Sequence, residues 1–329
     1  MKIVITGAGG FLGGHLHKRL VEDGHKVYGV DIKHHDDWWQ RANAMTHRQD
    51  LRWPNSVTTS IMREADEVYH LACDMGGRGY IDTHEADCAM NAALDLAVLK
   101  CAVEARVKRF FYASSACVYP VELQGKVYGA TSGGFLNEAM ADPPWHPDDM
   151  YGHAKLFGEL SCAAFAADYG LHVRIGRFHG VYGSHGDWSG GREKAPAALM
   201  RKVAEAKRDA EDGGKPVVVV WGDGTATRTF MHVDDAVEGM IRLMRSGVQT
   251  PMNLGSAESV SVTDLLTTIA EVAGLDRFDV RHVDGPVGVD HRASDNSLIR
   301  RFLKWEPGIE LREGIKRTYP WIEEQVRKQ

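Results

Sequence analysis

The chain has 329 residues, a formal net charge of −6 and a pI near 6.2. That length supports one large α/β domain or two lobes, and the mild acidity argues against a phosphate-backbone binder, so no nucleic-acid partner is expected. Five scattered cysteines without a Cys-x-x-Cys pair suggest neither a disulfide framework nor a zinc knuckle, and no run reaches the ~18 apolar residues of a membrane span. The expectation is a cytoplasmic protein without membrane or metal, because Met1-Lys2 leads directly into an apolar run with no signal-peptide pattern. His15 and His17 lie two apart on a helical pattern and diverge, and His34-His35 sit in a polar loop, so the histidines read as structural or solvated.

In chain order, Lys2 to Ile5 is a strand-like run that ends in Thr6-Gly7-Ala8-Gly9-Gly10-Phe11-Leu12-Gly13-Gly14 and continues as a helix through Leu16 and Leu20. Gly7, Gly10 and Gly13 have the spacing of a tight turn whose bare amides and helix N-terminus receive a pyrophosphate. A second strand, Lys26 to Val30, ends in Asp31, about twenty positions past the glycines, where a carboxylate accepts hydrogen bonds from a ribose diol and repels a 2′-phosphate. A dinucleotide, with NAD favoured over NADP, follows from this arrangement.

Helices and strands then alternate: a helix near 57–64, a strand at 67–72, a long helix at 84–105 and a strand at 109–113. The pattern predicts a doubly wound, mostly parallel Rossmann sheet with a smaller C-terminal substrate-binding lobe. Loops at the carboxyl edge, 74–80 and 114–117, are candidate ligand segments. Residues 120–147 read as a surface loop or lid, followed by a helix from about 150, a strand at 173–178, Gly-rich turns to 191, a helix at 196–210 and a strand at 216–221. Further helices are expected at 236–246, 263–274 and from 311 onward. The division that follows is a cofactor domain at 1–175, with 217–250 returning to it, and a substrate lobe formed by 176–216 and 251–329.

Met150-Tyr151-Gly152-His153-Ala154-Lys155 carries the only Tyr followed four residues later by Lys. On a helix that spacing puts both side chains on one face. A phenol titrates near ~10 in water, and an adjacent ammonium favours its ionised form, so Tyr151 is a candidate proton carrier for a hydroxyl. Taken alone, the motif also fits a half-buried Tyr and a solvated Lys on an amphipathic helix.

The glycine turn, Asp31, a Ser at a strand end and Tyr-x-x-x-Lys, in that order, resemble the extended short-chain dehydrogenase/reductase superfamily. Within it, Leu71-Ala72-Cys73-Asp74-Met75-Gly76-Gly77, Phe111-Tyr112-Ala113-Ser114-Ser115-Ala116-Cys117-Val118-Tyr119-Pro120, Gly190-Gly191-Arg192-Glu193-Lys194-Ala195-Pro196-Ala197-Ala198 and Trp221-Gly222-Asp223-Gly224 resemble the GDP-mannose 3,5-epimerase family. The resemblance implies an isomerase with tightly bound NAD that oxidises C4 of a nucleotide-linked hexose, inverts C5 and C3, and reduces C4 again. The products would be GDP-L-galactose, GDP-L-gulose or both.

It further implies a triad of Ser115, Tyr151 and Lys155, in which Lys155 lowers the Tyr151 pKa, and an acid/base pair, Cys117 and Lys194. The cofactor would meet Gly7, Gly10, Phe11, Leu12, Gly13, Asp31, Asp50, Leu51, Tyr151 and Lys155. The substrate would meet Gly76, Gly77, Ser115, Ala116, Cys117, Glu193, Lys194, Ala195, Lys202, Arg228 and Arg292, the two arginines near its diphosphate. If the chain stays extended, Ser115 and Cys117 face the same side. Lys194 precedes Pro196 at a helix start, where the dipole would lower its pKa. A homodimer built on the helices near 84–105 and 147–168 is implied as well.

The chain departs from the family pattern at Gly180, where an Asn is common, at Ser184, where a Pro is usual, and at Ala226, where a Gln is usual, and its loop at 121–137 is longer. The alternatives are a 4-epimerase or 4,6-dehydratase of the same fold, or an NAD(H)-binding sensor without chemistry. The Ala116-Cys117 pair stands where dehydratases carry Asp-Glu, and a sensor has no use for Tyr151 and Lys155.

Overall fold

The computed structural model describes residues 1–125 and 135–329. The elements are, in order, β1 (Lys2–Thr6), α1 (Phe11–Glu22), β2 (Lys26–Asp31), β3 (Thr46–Arg48), α2 (Ser56–Met62), β4 (Glu67–His70), α3 (Arg78–Ile81), α4 (Glu85–Ala89), α5 (Asn91–Glu104), β5 (Arg109–Ser115), β6 (Phe135–Leu136), α6 (Asp149–Tyr169) and β7 (His172–Phe178). They continue as β8 (Val181–Tyr182), α7 (Ala195–Glu211), β9 (Val217–Trp221), β10 (Thr227–Thr229), β11 (Met231–His232), α8 (Val233–Arg245), β12 (Met252–Leu254), β13 (Ser259–Ser261), α9 (Val262–Ala273), β14 (Asp279–Val283), β15 (His291–Ser294), α10 (Ser297–Leu303) and α11 (Leu311–Arg327).

Seven parallel strands form the central sheet in the order β12-β7-β5-β4-β1-β2-β3. Strands β1, β4 and β5 are buried along most of their length because helices cover both of their faces. Ile3, Ile5, Leu16, Leu20, Val237 and Met240 fill one side, with α1 and α8; Val4, Val68, Val98, Leu99 and Phe110 fill the other, with α2 and α5. The winding direction reverses between β1 and β4, so the carboxyl ends Thr6 and His70 open the crevice where such sheets bind ligands.

A separate core of Leu199, Met200, Val203, Leu265, Ile269, Ile315 and Ile322 joins α7, α9 and α11. Of the expected return of 217–250 to the cofactor domain, the strand at 217–221 is corrected. Val217–Trp221 pairs with Asp279–Val283 in a two-stranded sheet and buries Val218 and Val220 in the second core. Within 217–250, α8 does pack on the large sheet, and β12 beyond it pairs Met252, Asn253 and Leu254 with Gly176, Arg177 and Phe178 and takes the free edge of β7. Residues 176–178 accordingly belong to the large sheet.

The long helix expected at 84–105 is two helices meeting at Met90, where the Asn91 side chain turns aside to bond both backbone groups of Asp74. In the segment expected as a surface loop at 120–147, Phe135–Leu136 pairs with β15 and Leu136 is buried. Residues 126–134 of that segment, and with them most of the longer loop at 121–137, lie outside the described residues.

Candidate active site

The glycine turn is built by close approach. Gly7 has φ +73° and a Cβ there would lie 2.6 Å from the Ala72 amide nitrogen; at Gly13 it would lie 2.0 Å from the Gly7 carbonyl oxygen. Helix α1 starts after Gly10 without a side-chain cap, which leaves its first amides to an external acceptor. Asp31 is buried, and its two carboxylate oxygens accept from the Gly9 amide (2.8 Å) and the Lys33 amide (2.9 Å), so it also braces the turn. Leu51 is buried beside this edge. Asp50 is paired with Arg52 at 2.7 Å, and the hydrogen bond holds its carboxyl below the usual range.

Tyr151 and Lys155 lie on the first turns of α6, both buried. The lysine Nζ is 6.0 Å from the Tyr151 ring centroid and donates to the Ala113 carbonyl at 2.9 Å. Burial opposes the Lys155 charge, but Cys73 and Asp95 outweigh it and leave its pKa above that of a free lysine. The expected lowering of the Tyr151 pKa by Lys155 is corrected: burial pushes the phenol well above its ordinary value, Cys73 and Cys117 add to the rise, and only a hydrogen bond with Ser115 opposes it. The ammonium donates to the Ala113 carbonyl and sits over the Tyr112 ring at 5.0 Å.

The chain does not stay extended after Ser115. Residues Ala116–Val118 form a 3-10 turn, closed by the Cys117 amide donating to Ser115 Oγ at 3.2 Å. The turn nevertheless delivers the thiol to the same place: Cys117, Tyr151, Cys88 and Ile81 pack together, with Cys73 and Met75 against them. Ala116 is buried beneath.

Lys194 is the residue capping α7 at its N-terminus. Its pKa is lowered, burial being the largest cause; Cys117 and Cys73 act in the opposite direction as nearby sulfur groups. The structure thus brings Lys194 and Cys117, from different lobes, within electrostatic range of each other. Gly77 is the contact that permits it, since a Cβ there would lie 2.4 Å from the Glu193 carbonyl oxygen. Gly76 is packed equally tightly on Tyr80.

The other expected substrate residues divide. Arg292 donates to Cys117 Sγ (3.3 Å), Gln124 Oε1 (2.5 Å) and Asp148 (2.7 Å), so it is committed to the thiol side of the site. Arg228 is ringed by the backbone carbonyls of Thr227, Val287, Val289 and Asp290, and burial with Arg292 nearby lowers its pKa to about 10. The Glu193 carboxylate is taken by Arg201 and the Gly191 amide, and Ala195 is exposed at the start of α7. Lys202 lies apart from the thiol cluster, donating to the Val219 carbonyl at 2.8 Å and sitting 5.2 Å from the Trp221 ring centroid. At Gly180, φ is +48° and a Cβ would lie 2.3 Å from the Thr229 carbonyl oxygen, so no Asn fits this backbone.

Several site residues escaped the sequence reading. Asp148 accepts from Arg78 at 3.1 Å as well as from Arg292. Beneath the triad, Asp95 accepts from His70 Nε2 (2.9 Å) and from the Tyr112 hydroxyl (2.6 Å), while the Thr6 hydroxyl donates to His70 Nδ1 (2.7 Å), so a buried polar chain runs from the glycine turn to the neighbourhood of Lys155. The available signal was Asp95 itself, a lone carboxylate in the apolar run 92–99. Glu159, bidentate to Arg177 at 2.9 and 2.7 Å, also bonds Ser114. Among the described residues no group of three His, Cys, Asp or Glu side chains is placed to hold a metal ion.

The profile of the NAD dependent epimerase/dehydratase family matches residues 3–255. The chain belongs to this family. A GDP-mannose 3,5-epimerase from Oryza sativa subsp. indica is 39% identical over 338 residues, covering 100% of this chain and 83% of the rice protein. The structure of a UDP-glucose 4-epimerase from Thermotoga maritima, solved with UDP-glucose, superposes with a TM-score of 0.84 at 25% identity, over 99% of this chain and 100% of that one. MoeE5, solved with UDP-glucuronic acid and NAD, gives 0.80 at 26% identity, over 99% and 100%.

The cofactor of the epimerase/dehydratase family suits the residues present. A cradle that tolerates no Cβ at Gly7 or Gly13, an uncapped helix start and a buried carboxylate at the end of β2 match a pyrophosphate and a ribose. NAD is the cofactor, and the turn at Gly7, Gly10 and Gly13 with Asp31 fits it.

Proposed function

We propose that the chain is an isomerase that epimerises a nucleotide-linked hexose, GDP-mannose, at C5 and C3. The observation that carries this reading is Cys117 packed against Tyr151, with Lys194 of the other lobe within electrostatic range of the thiol. A 4-epimerase needs only Ser115, Tyr151 and Lys155.

In this reading Ser115 positions the C4 hydroxyl and Tyr151 removes its proton as the phenolate, the form that the Lys155 ammonium 6.0 Å from its ring favours, while bound NAD supplies the hydride acceptor and later the donor. The resulting C4 ketone acidifies the hydrogens on C3 and C5, which flank it. Inversion then requires one group to remove a proton from one face of the ring and another to return one to the opposite face. Cys117 and Lys194 take these roles, and the depressed pKa of Lys194 brings its neutral, proton-accepting form within reach. Arg228 and Lys202 are the cations proposed for the diphosphate end, while Arg292 stays beside the Cys117 thiol. The products are GDP-L-galactose and GDP-L-gulose.

We further propose a homodimer and a cytoplasmic setting. Met90 and Leu96 near one end of α5, and Met150, Phe157 and Leu160 on α6, are large apolar side chains left exposed on adjacent helices. All five cysteines are free, as suits a reducing compartment. No helix among the described residues is long and apolar enough to cross a membrane.

The test is proton NMR of the NAD-loaded protein with GDP-mannose in deuterium oxide. Deuterium entering C3 and C5 with new L-sugar signals is expected. Absence of exchange at both carbons would reject GDP-mannose as the substrate.

A further inference from the structure

Lys194 has no ion pair to hold it among the described residues, and just before it Gly190 and Gly191 take φ +85° and +90°, where a Cβ would meet nothing within 4 Å. Two residues before Lys194, however, Arg192 makes the densest set of contacts in the segment. Its Nη1 donates to Asp74 Oδ1 at 2.8 Å and to the Met75 carbonyl at 3.0 Å, and its Nη2 donates to the Tyr80 hydroxyl at 2.6 Å. The guanidinium carbon lies 3.7 Å from the Tyr80 ring centroid.

Both partners are themselves fixed. The Tyr80 hydroxyl donates to Asp74 at 2.9 Å, and the ring stacks on His84 at 4.1 Å with an interplanar angle of 15°. Burial, with Asp74 adding to it, raises the Tyr80 pKa to about 12, so the phenol stays a donor at neutral pH. Asp74 is clamped through its backbone by Asn91, with two bonds of 2.8 Å, at the start of α5. The Arg192 carbonyl accepts from the Gly77 amide at 2.8 Å, which completes the seam between the loops.

We infer that Arg192, with Asp74 and Tyr80, is a positioning residue that sets where Lys194 stands relative to Cys117. The inference rests on the reading of Lys194 as a proton carrier. The clasp ties the loop after β4, which carries Cys73 and Met75 into the thiol cluster, to the start of α7, which carries Lys194. It needs an arginine: a planar fork makes three directed bonds while stacking on the ring, whereas a lysine ammonium supplies a point charge. The Arg192 and Asp74 side chains remain 41% and 40% exposed, so the pair adds little to global stability. What it contributes is register, and a carrier displaced by about 1 Å can lose about 100-fold in rate.

The experiment uses the full-length, NAD-loaded protein with GDP-mannose, and compares Arg192→Lys and Tyr80→Phe with the parent. Deuterium entry at C3 and C5 is followed by NMR, the C4 step by transient NADH absorbance, and folding by thermal melting. Arg192→Lys is expected to slow ring exchange by about 100-fold while the C4 step and the melting temperature hold. Tyr80→Phe, which keeps the stack and loses the hydroxyl's two bonds, to Arg192 and to Asp74, should move the same way by less. Unchanged exchange in both variants overturns the inference. So does a parallel fall of exchange and C4 oxidation with a raised KM, which would make Arg192 a substrate contact. Lys194→Ala in the same assay separates the two levels: if it leaves ring exchange intact, the proton-carrier reading fails and the inference with it.

Discussion

Tyr151 and Lys155 stand four residues apart on one helix, whereas Cys117 comes from the turn after β5 and Lys194 from the lobe built by α7, α9 and α11. The helical repeat alone sets the first spacing, so it survives any rearrangement that leaves α6 intact. The second depends on a seam between loops, held by Gly77, Arg192, Asp74 and Tyr80, and on nothing local to either residue. The two regions differ in vulnerability. The helix pair fails when its own residues change, while the interlobe pair also fails when distant residues move it.

The largest effect should come from the helix. Tyr151→Phe is expected to lower both the C4 step and epimerisation by ~10²–10⁴-fold, measured as transient NADH and as product by NMR; unchanged turnover would remove Tyr151 from the reaction. Cys117→Ala should divide the two regions, with loss of deuterium entry at the ring carbons in a similar range and retention of C4 oxidation. If both steps fall together, the thiol serves the helix pair and the comparison collapses.

The smallest effect concerns the joint itself. His179, at the end of β7, is buried with its Nε2 donating to Asn253 Oδ1 at 3.1 Å, and burial lowers its pKa to about 3. An unfolded chain takes that proton near ~6.5. Between those values the unfolded state binds more protons, so stability is full above about 6.5, declines as the pH falls, and has lost the His179 contribution near the folded value. His179→Asn should flatten the acid side of the stability profile, read as urea midpoints at pH values within that window. A decline as steep as the parent's would assign the loss to other groups.

The cofactor edge could be read from the chain because its parts are backbone. Gly7, Gly10 and Gly13 act through the absence of a Cβ, and Asp31 through its place at a strand end, so order and spacing suffice. Tyr151 with Lys155 was legible for the same reason. The charged scaffold was not. Arg78, Asp148, Arg192 and Asp74 look like solvated loop charges until the fold brings them together, and their partners lie far away in sequence. Physical guesses about local conformation also failed in instructive ways. Ser115 and Cys117 share a site through a 3-10 turn rather than an extended strand, and burial is the largest influence on the pKa of both Tyr151 and Lys194. Desolvation depends on what the rest of the chain places overhead, which no local pattern records.

The sequence by itself determined the parallel sheet, the glycine turn with its acidic partner, and the helix face that pairs Tyr151 with Lys155. Each follows from a repeat or a spacing shorter than one supersecondary unit. Only the tertiary structure decided that β9 leaves the large sheet for the second lobe, that Arg292 turns to Cys117, and that Lys194 reaches the thiol cluster across the Arg192 seam. These are long-range contacts between half-buried charges and bare backbone, and their geometry is fixed by how two separate cores pack.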